Sequence, residues 1–199
     1  MPYVKHGQNH CRILELGCGN GRDALYFSRH GAIVDGVDIS TEAIDILNSN
    51  ETMCTCGISD RVPCKKTLHF FACDFSTILS QNAYDIIYSR FTLHAVDSVS
   101  ASRAMCNSFV NLKVGGIICI EVRSVLDPLY GQGTQVFGER DAFITSHYRR
   151  FVRMSELLHE LESIGFMILY SVESSNLSVH NQDNPVLIRV IAKKRCERP

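Results

Sequence analysis

The chain is 199 residues long and 45% hydrophobic, which suffices for one ordinary domain with its own core and excludes a disordered chain. Its 20 Lys and Arg against 21 Asp and Glu leave a formal net charge of -1, so the overall charge argues neither for nucleic acid nor for an anionic membrane as partner. Any basic site has to be local. The polar segment 1–11 lacks the apolar core of a secretion signal, and the longest apolar stretch, 115–120, is too short to cross a bilayer. A single cytoplasmic domain over 1–199 is the expectation. Nine cysteines, an odd number, read as free thiols of a reducing compartment rather than as a disulfide framework.

Strand and helix patterns alternate along the chain, which predicts an α/β fold built on a doubly wound sheet. Residues 12–16 (RILEL) form a short strand that runs into the turn Gly17-Cys18-Gly19-Asn20-Gly21. A helix follows from 22 to about 30, stopped by Gly31, and 32–37 is a second strand. Ser40 caps a helix through 48, with Ala43, Ile44 and Leu47 at helical spacing. Residues 68–73 and 84–89 are the third and fourth strands. A helix over about 100–112 precedes a Gly115-Gly116 turn and a fifth strand at 117–123. The stripe Leu157, Leu158, Leu161, Ile164 marks a helix over 155–164 that stops at Gly165. Two apolar runs, 166–172 and 185–192, have no helix between them and should pair antiparallel. Segments 51–66 and 124–150 show no regular pattern, and so long a connection as the second is usually functional or mobile.

The glycine turn is the first chemical signal. A strand, a tight turn and a helix N-terminus converge main-chain N–H groups on a ligand, and Gly17 and Gly19 allow close approach. Asp38 ends the next strand, about 20 residues beyond the turn, where a carboxylate accepts both hydroxyls of a ribose and repels a 2′-phosphate. A dinucleotide fingerprint would carry its third glycine at position 22, which is Arg22 here, and this weakens a nicotinamide reading.

Glu15-Leu16-Gly17-Cys18-Gly19-Asn20-Gly21 resembles the first motif of the class I S-adenosylmethionine-dependent methyltransferases, and Val37-Asp38-Ile39-Ser40 resembles their second. Cys73-Asp74-Phe75 is similar to the family's acidic turn beside the adenine, and Tyr84-Asp85-Ile86-Ile87-Tyr88-Ser89 to its fourth-strand segment. The likeness runs from about 12 to 192. The first motif is fairly specific; the others are weak singly but stand in the right order. The resemblance implies a Rossmann-like sheet of seven strands, six parallel and one reversed, and S-adenosylmethionine as cofactor. It implies Glu15 near the methionine end, Gly17, Cys18 and Gly19 beneath it, Asp38 on the ribose, and the adenine between Ile39 and the Asp74-Phe75 turn, with Ser89 completing the set. Each has a structural rival: a plain strand-to-helix turn, a salt bridge for Glu15, a helix cap for Asp74. Family members usually carry a helical N-terminal cover, whereas about ten residues precede the first strand here. The cover is missing, truncated, or supplied by 124–150.

Methyl transfer from a sulfonium is an in-line displacement, and alignment of the partners is worth roughly 7–11 kcal/mol in well-oriented systems. A base is required only for an acceptor that must lose a proton. Acceptor residues should come from the ends of strands four and five and the loops beyond. The candidate catalytic side chains are His94, Arg123 and Tyr148; His94 is either a base or a histidine packed at a helix start. The candidate acceptor-binding residues are Arg90, Tyr130, His147, Arg149 and Arg150, since a run of polar side chains with two arginines suits a phosphate or carboxylate. Glu121 and Arg123 point to one side of the sheet, where they either serve the site or pair with each other. The motif for methylating exocyclic amines of bases is absent: Ser89-Arg90-Phe91-Thr92 stands in its place, which argues against nucleic acid. Cys54, Cys56 and Cys64 with His69 or Cys73 lack a second spaced pair, so no metal is expected. The reading is a methyltransferase for an anionic small molecule or glycan precursor. Its rivals are a regulatory module that binds the cofactor without catalysis, and a nicotinamide-dependent oxidoreductase.

Overall fold

The computed structural model describes residues 10–49 and 67–195. The segment holding Cys54, Cys56 and Cys64, for which no metal is expected, lies outside the described residues; His69 bonds Asp35 through Nδ1 at 3.0 Å.

The elements come in the order β1 (Arg12–Leu16), α1 (Arg22–Arg29), β2 (Ile33–Asp38), α2 (Thr41–Ser49), β3 (Leu68–Ala72), β4 (Tyr84–Arg90), α3 (Ser98–Asn111) and β5 (Leu112–Arg123). A small set follows, β6 (Thr134–Gln135), β7 (Ala142–Ile144) and β8 (Tyr148–Arg150), then α4 (Met154–Ile164), β9 (Phe166–Ser174) and β10 (Leu187–Lys194). Seven strands form one sheet in the order β3-β2-β1-β4-β5-β10-β9. Only β10 runs against its neighbours, so six strands are parallel and one is reversed, as expected.

Alternation along β1 splits the interior into two cores, because successive side chains leave opposite faces of a strand. Ile13 packs with Ala24 of α1, Ile44 and Leu47 of α2, Val34 and Phe70. Leu14 and Leu16 pack with Ala101, Ala104 and Met105 of α3 and with Leu157 and Leu161 of α4. Helices thus cover both faces, which a parallel sheet requires. Strand order reverses between β1 and β4, and the crevice at their C-terminal ends is where such sheets bind ligands.

Two expectations are corrected. The strand β5 begins at Leu112 rather than 117, because Tyr84 already pairs with Leu112; the ladder slips between Tyr84 and Ile86, and Gly115 takes φ 80 within the strand. The glycine pair is a bulge, not a turn that precedes the strand. Segment 124–150 is not irregular throughout: β6, β7 and β8 form their own antiparallel sheet. Runs of two or three residues are too short to show a period. In addition, α3 starts two residues early, at Ser98, because Asp97 caps it by accepting from Ser100 N at 2.8 Å.

Candidate active site

The glycine turn is fixed by three contacts. Cys18 N donates to Val37 O (2.9 Å), Gly21 N to Cys18 O (2.8 Å), and Thr92 Oγ1 to Leu16 O (2.7 Å). The last draws the segment after β4 over the turn so closely that a Cβ on Gly17 would stand 2.5 Å from Thr92 Cγ2. Gly17 must therefore be glycine for space as well as for its φ of 67. Gly19, at φ 51, is different: beyond its chain neighbours, none of the described residues lies within 4 Å of where its Cβ would be. Its bare main chain faces open space.

Asp38 closes the other side. Its Oδ2 accepts from Gly19 N at 2.9 Å and its Oδ1 from Ser40 N at 3.0 Å, so each oxygen keeps a lone pair for a further donor. Ile39, beside it, is 76% exposed, unusual for an isoleucine. Cys73 N donates to Asp38 O (2.9 Å), which brings the Asp74 turn alongside. Asp74 caps that short 3-10 turn by accepting from Ser76 N at 2.8 Å. The Phe75 ring is buried in the α3-side core, so at most its backbone faces the crevice.

Glu15 and Ser89 are buried beneath the turn, and Glu15 Oε2 and Ser89 Oγ have no partner among the described residues. Burial, then the nearby Asp23 carboxylate, pushes the Glu15 carboxyl up to about 8, against the opposing effects of the Ala24 N–H and Arg22. A buried orphan acceptor is costly unless a ligand supplies the missing donor.

A second group of side chains lies past the ends of β4 and β5. The His94 ring is buried, stands edge-on to Phe91 (5.6 Å between centroids), and accepts Arg123 N on Nδ1 at 3.3 Å. Its remaining proton is therefore on Nε2. Burial, then the charges of Arg123, Arg149, Arg150 and His147, lowers its pKa to about 3. Arg123 is held by Asp127 (3.0 Å) and Asp183 (2.6 Å). Arg149 donates to His147 Nε2 at 2.7 Å and has no carboxylate partner among the described residues. Burial and Arg123 lower its pKa, opposed by Asp127 and Asp183.

The methyltransferase-domain family model matches residues 4–171 of this chain. The chain belongs to the class I S-adenosylmethionine-dependent methyltransferases. It is 27% identical over 174 residues to the ubiquinone biosynthesis O-methyltransferase of Burkholderia thailandensis, covering 85% of this chain and 68% of that protein. It is 28% identical over 166 residues to the Coxiella burnetii protein of the same name, covering 79% of this chain and 64% of that one. The fold matches a solved S-adenosylmethionine-dependent methyltransferase of Methanosarcina mazei with a TM-score of 0.79 at 22% identity, over 96% of this chain and 95% of that one.

S-adenosylmethionine is the methyltransferase's cofactor, and the crevice suits it: an open glycine, a carboxylate with spare lone pairs, and two orphan buried acceptors. The acceptor-side candidates are only partly brought together. His94, Arg123, His147 and Arg149 share one field. Arg90 does not join them: it pairs with Asp23 of α1 at 2.6 Å and lies over the Phe91 ring. Tyr130 donates to Asp141 (2.8 Å) and packs against Phe143 and Phe151, bracing the small sheet. Arg150 is engaged with backbone carbonyls, those of Leu93 (2.8 Å) and Val96 (3.3 Å). The Tyr148 hydroxyl is buried with no partner among the described residues, and burial and Glu139 hold its pKa up at about 12. Glu121 and Arg123 do not pair with each other, since Glu121 bonds Arg189 instead.

A cavity of about 300 Å3 lies on the α3/α4 face, lined by Ser98, Ala101, Glu139, Arg140, Arg150 and Leu157. It is not the cofactor crevice: none of the glycine-turn residues lines it, and Arg140 on its rim is paired with Glu156 at 2.6 Å. Residues that sequence reasoning missed are Thr92, Asp127 and Asp183. Thr92 is unremarkable in sequence, and Asp183 reaches Arg123 from 60 positions away.

Proposed function

We propose that this methyltransferase moves the methyl group of S-adenosylmethionine to a small molecule held by an anionic group at Arg149. The observation that carries the cofactor half is the Asp38 carboxylate fastened to Gly19 N at 2.9 Å beside an unobstructed main chain. When bound, the cofactor supplies a methyl group on a sulfonium, a donor that needs no further activation.

Asp38 takes both ribose hydroxyls with the lone pairs its two backbone donors leave over. Glu15 and Ser89 accept from the polar end of the cofactor, which satisfies their orphan oxygens. Ile39 covers one adenine face, with the Asp74-Phe75 backbone turn at its edge, and Cys18 lines the glycine turn. On the acceptor side, Arg149 supplies a charged donor uncommitted to any carboxylate among the described residues. Arg123, braced by Asp127 and Asp183, and His94, as a donor through Nε2–H, flank it. Arg150 ties β8 to the Leu93–Val96 turn and so sets where Arg149 stands. Names of relatives in ubiquinone biosynthesis support a small-molecule acceptor, and glycan precursors fall within the same class.

The test is radiolabelled methyl transfer from S-adenosylmethionine into a metabolite extract, with the Asp38→Ala variant beside the parent. Label in a small-molecule fraction with the parent alone is the expected result. Equal labelling by both, or none by either, refutes the reading.

A further inference from the structure

The geometry points to the atom that is methylated: an oxyanion of the acceptor, a carboxylate or phosphoryl oxygen seated at the cluster of Arg149, Arg123 and His94, so that the product is a methyl ester. The inference rests on the methyl-transfer reading above and adds the chemical class of its acceptor.

Three observations combine. First, the cluster is cationic, and Arg149 has donors that no described carboxylate occupies. Second, the side chains that touch the cluster, His94, His147, Asp127 and Asp183, each already accept a hydrogen bond; the buried Glu121 Oε1 at the end of β5 does not belong to it. His94 Nδ1 accepts Arg123 N, and His147 Nε2 accepts Arg149 while Nδ1 meets Ser146 Oγ at 3.0 Å. Asp127, buried, accepts from Arg123 (3.0 Å), Val186 N (3.1 Å) and Leu129 N (2.9 Å), and Asp183 is bound to Arg123 at 2.6 Å. Third, the groups facing His94 are Arg123 from β5, Arg149 and Arg150 from β8, and His147 before β8, all of which oppose protonation of its ring. A hydroxyl or an ammonium acceptor would find the histidines and carboxylates of this cluster already engaged with other donors. An oxyanion needs no base.

The acceptor oxygen forms the new O–CH3 bond with one of its own lone pairs, while the electron pair of the broken C–S bond stays on sulfur. The negative charge on oxygen and the positive charge on sulfur disappear together, and no proton is released. Such charge cancellation is favoured where water is excluded. Arg149 and the His94 Nε2–H hold the other oxygen of the same group and fix its approach.

The test uses protein saturated with S-adenosylhomocysteine, titrated by calorimetry with inorganic phosphate and separately with acetate, while the histidine ring signals are followed by NMR. Saturable binding of at least one anion is expected, weakened at least about tenfold in Arg149→Ala. Phosphate binding more tightly assigns a phosphoryl acceptor, and acetate a carboxylate. His94 should stay neutral with the proton on Nε2 from about pH 5 to about pH 9. His94→Gln, which keeps an N–H but is not a useful base, should retain anion affinity within about threefold, whereas His94→Phe should lose it. The inference is overturned if neither anion saturates, if Arg149→Ala binds as the parent does, or if His94 titrates near neutrality. It is equally overturned if labelled product from extract is an ether or amine, with one proton released per methyl group. Failure of S-adenosylhomocysteine itself to bind would be seen first, and would remove the methyl-transfer reading together with this inference.

Discussion

Replacing Gly19 by Ala separates the fold from the crevice. Beyond its chain neighbours, no atom of the described residues lies within 4 Å of the new methyl, so there is no clash with them; the cost is holding an L residue at φ 51. That penalty is ~1–2 kcal/mol, or a fall in Tm of roughly 2–8 °C for a domain of this size. The hydrogen bond to the Asp38 carboxylate is donated by the main-chain N–H of position 19 and survives. The methyl, however, fills space that the cofactor is proposed to use, so affinity for S-adenosylhomocysteine should fall at least about tenfold, or ~1.4 kcal/mol. Gly17→Ala is the contrasting variant. Its Cβ would meet Thr92 Cγ2 at 2.5 Å and Oγ1 at 2.6 Å, so Thr92 must move and release Leu16 O. Strain plus a lost buried hydrogen bond gives ~2–5 kcal/mol, enough to threaten folding. Thermal unfolding and calorimetric titration read both quantities. If Gly19→Ala binds like the parent, or is as unstable as Gly17→Ala, the geometry of the crevice has been misread.

Asp38→Ala should weaken S-adenosylhomocysteine binding well over tenfold, on the order of 1.5–3 kcal/mol for a charged acceptor, as measured by calorimetry. Unchanged affinity would remove the ribose assignment. The Glu15 pKa is raised from 4.5 to about 8, so the folded state holds that proton more tightly than the unfolded chain does. Its stabilisation is complete below about 4.5 and is lost as pH rises through about 8. Without cofactor, Glu15→Gln should leave stability unchanged near pH 4 and raise it near pH 9, by ~2–4 kcal/mol, in thermal melts. Asp141 is buried and held by Arg153 (2.9 Å), Arg140 (3.0 Å) and Tyr130 (2.8 Å). Burial raises its pKa, but these bonds outweigh it, and the net shift is downward. Asp141→Ala should cost ~2–3 kcal/mol, the exposed arginines reducing the usual value for a buried pair. That loss should be present at neutral pH and disappear as acid protonates the parent's carboxyl.

Legibility followed the range of the interactions. The alternation Ile13, Leu14, Glu15, Leu16 and the glycines after it are local signals, so β1, its turn and α1 were readable within a residue or two. The place of Asp38 beside the glycine turn was readable because one strand–helix–strand unit has a nearly fixed length. The β6–β8 sheet was not, since its strands are shorter than one reliable period. Partners of Arg123 were not either: sequence adjacency suggested Glu121, but the chain fold delivers Asp127 and Asp183. Arg90 and Tyr130 have the right chemistry for an anion, yet tertiary contacts with Asp23 and Asp141 commit them elsewhere. Side-chain type is visible in a sequence; what it is already bonded to is not.

The most direct measurement is a crystal structure of the protein grown with S-adenosylhomocysteine. The account predicts the ribose hydroxyls on Asp38, the main chain of Gly17 and Gly19 against the ligand, and the sulfur directed toward the Arg149 cluster. Ligand density elsewhere, or a crevice closed by the protein's own side chains at saturating ligand, would contradict it.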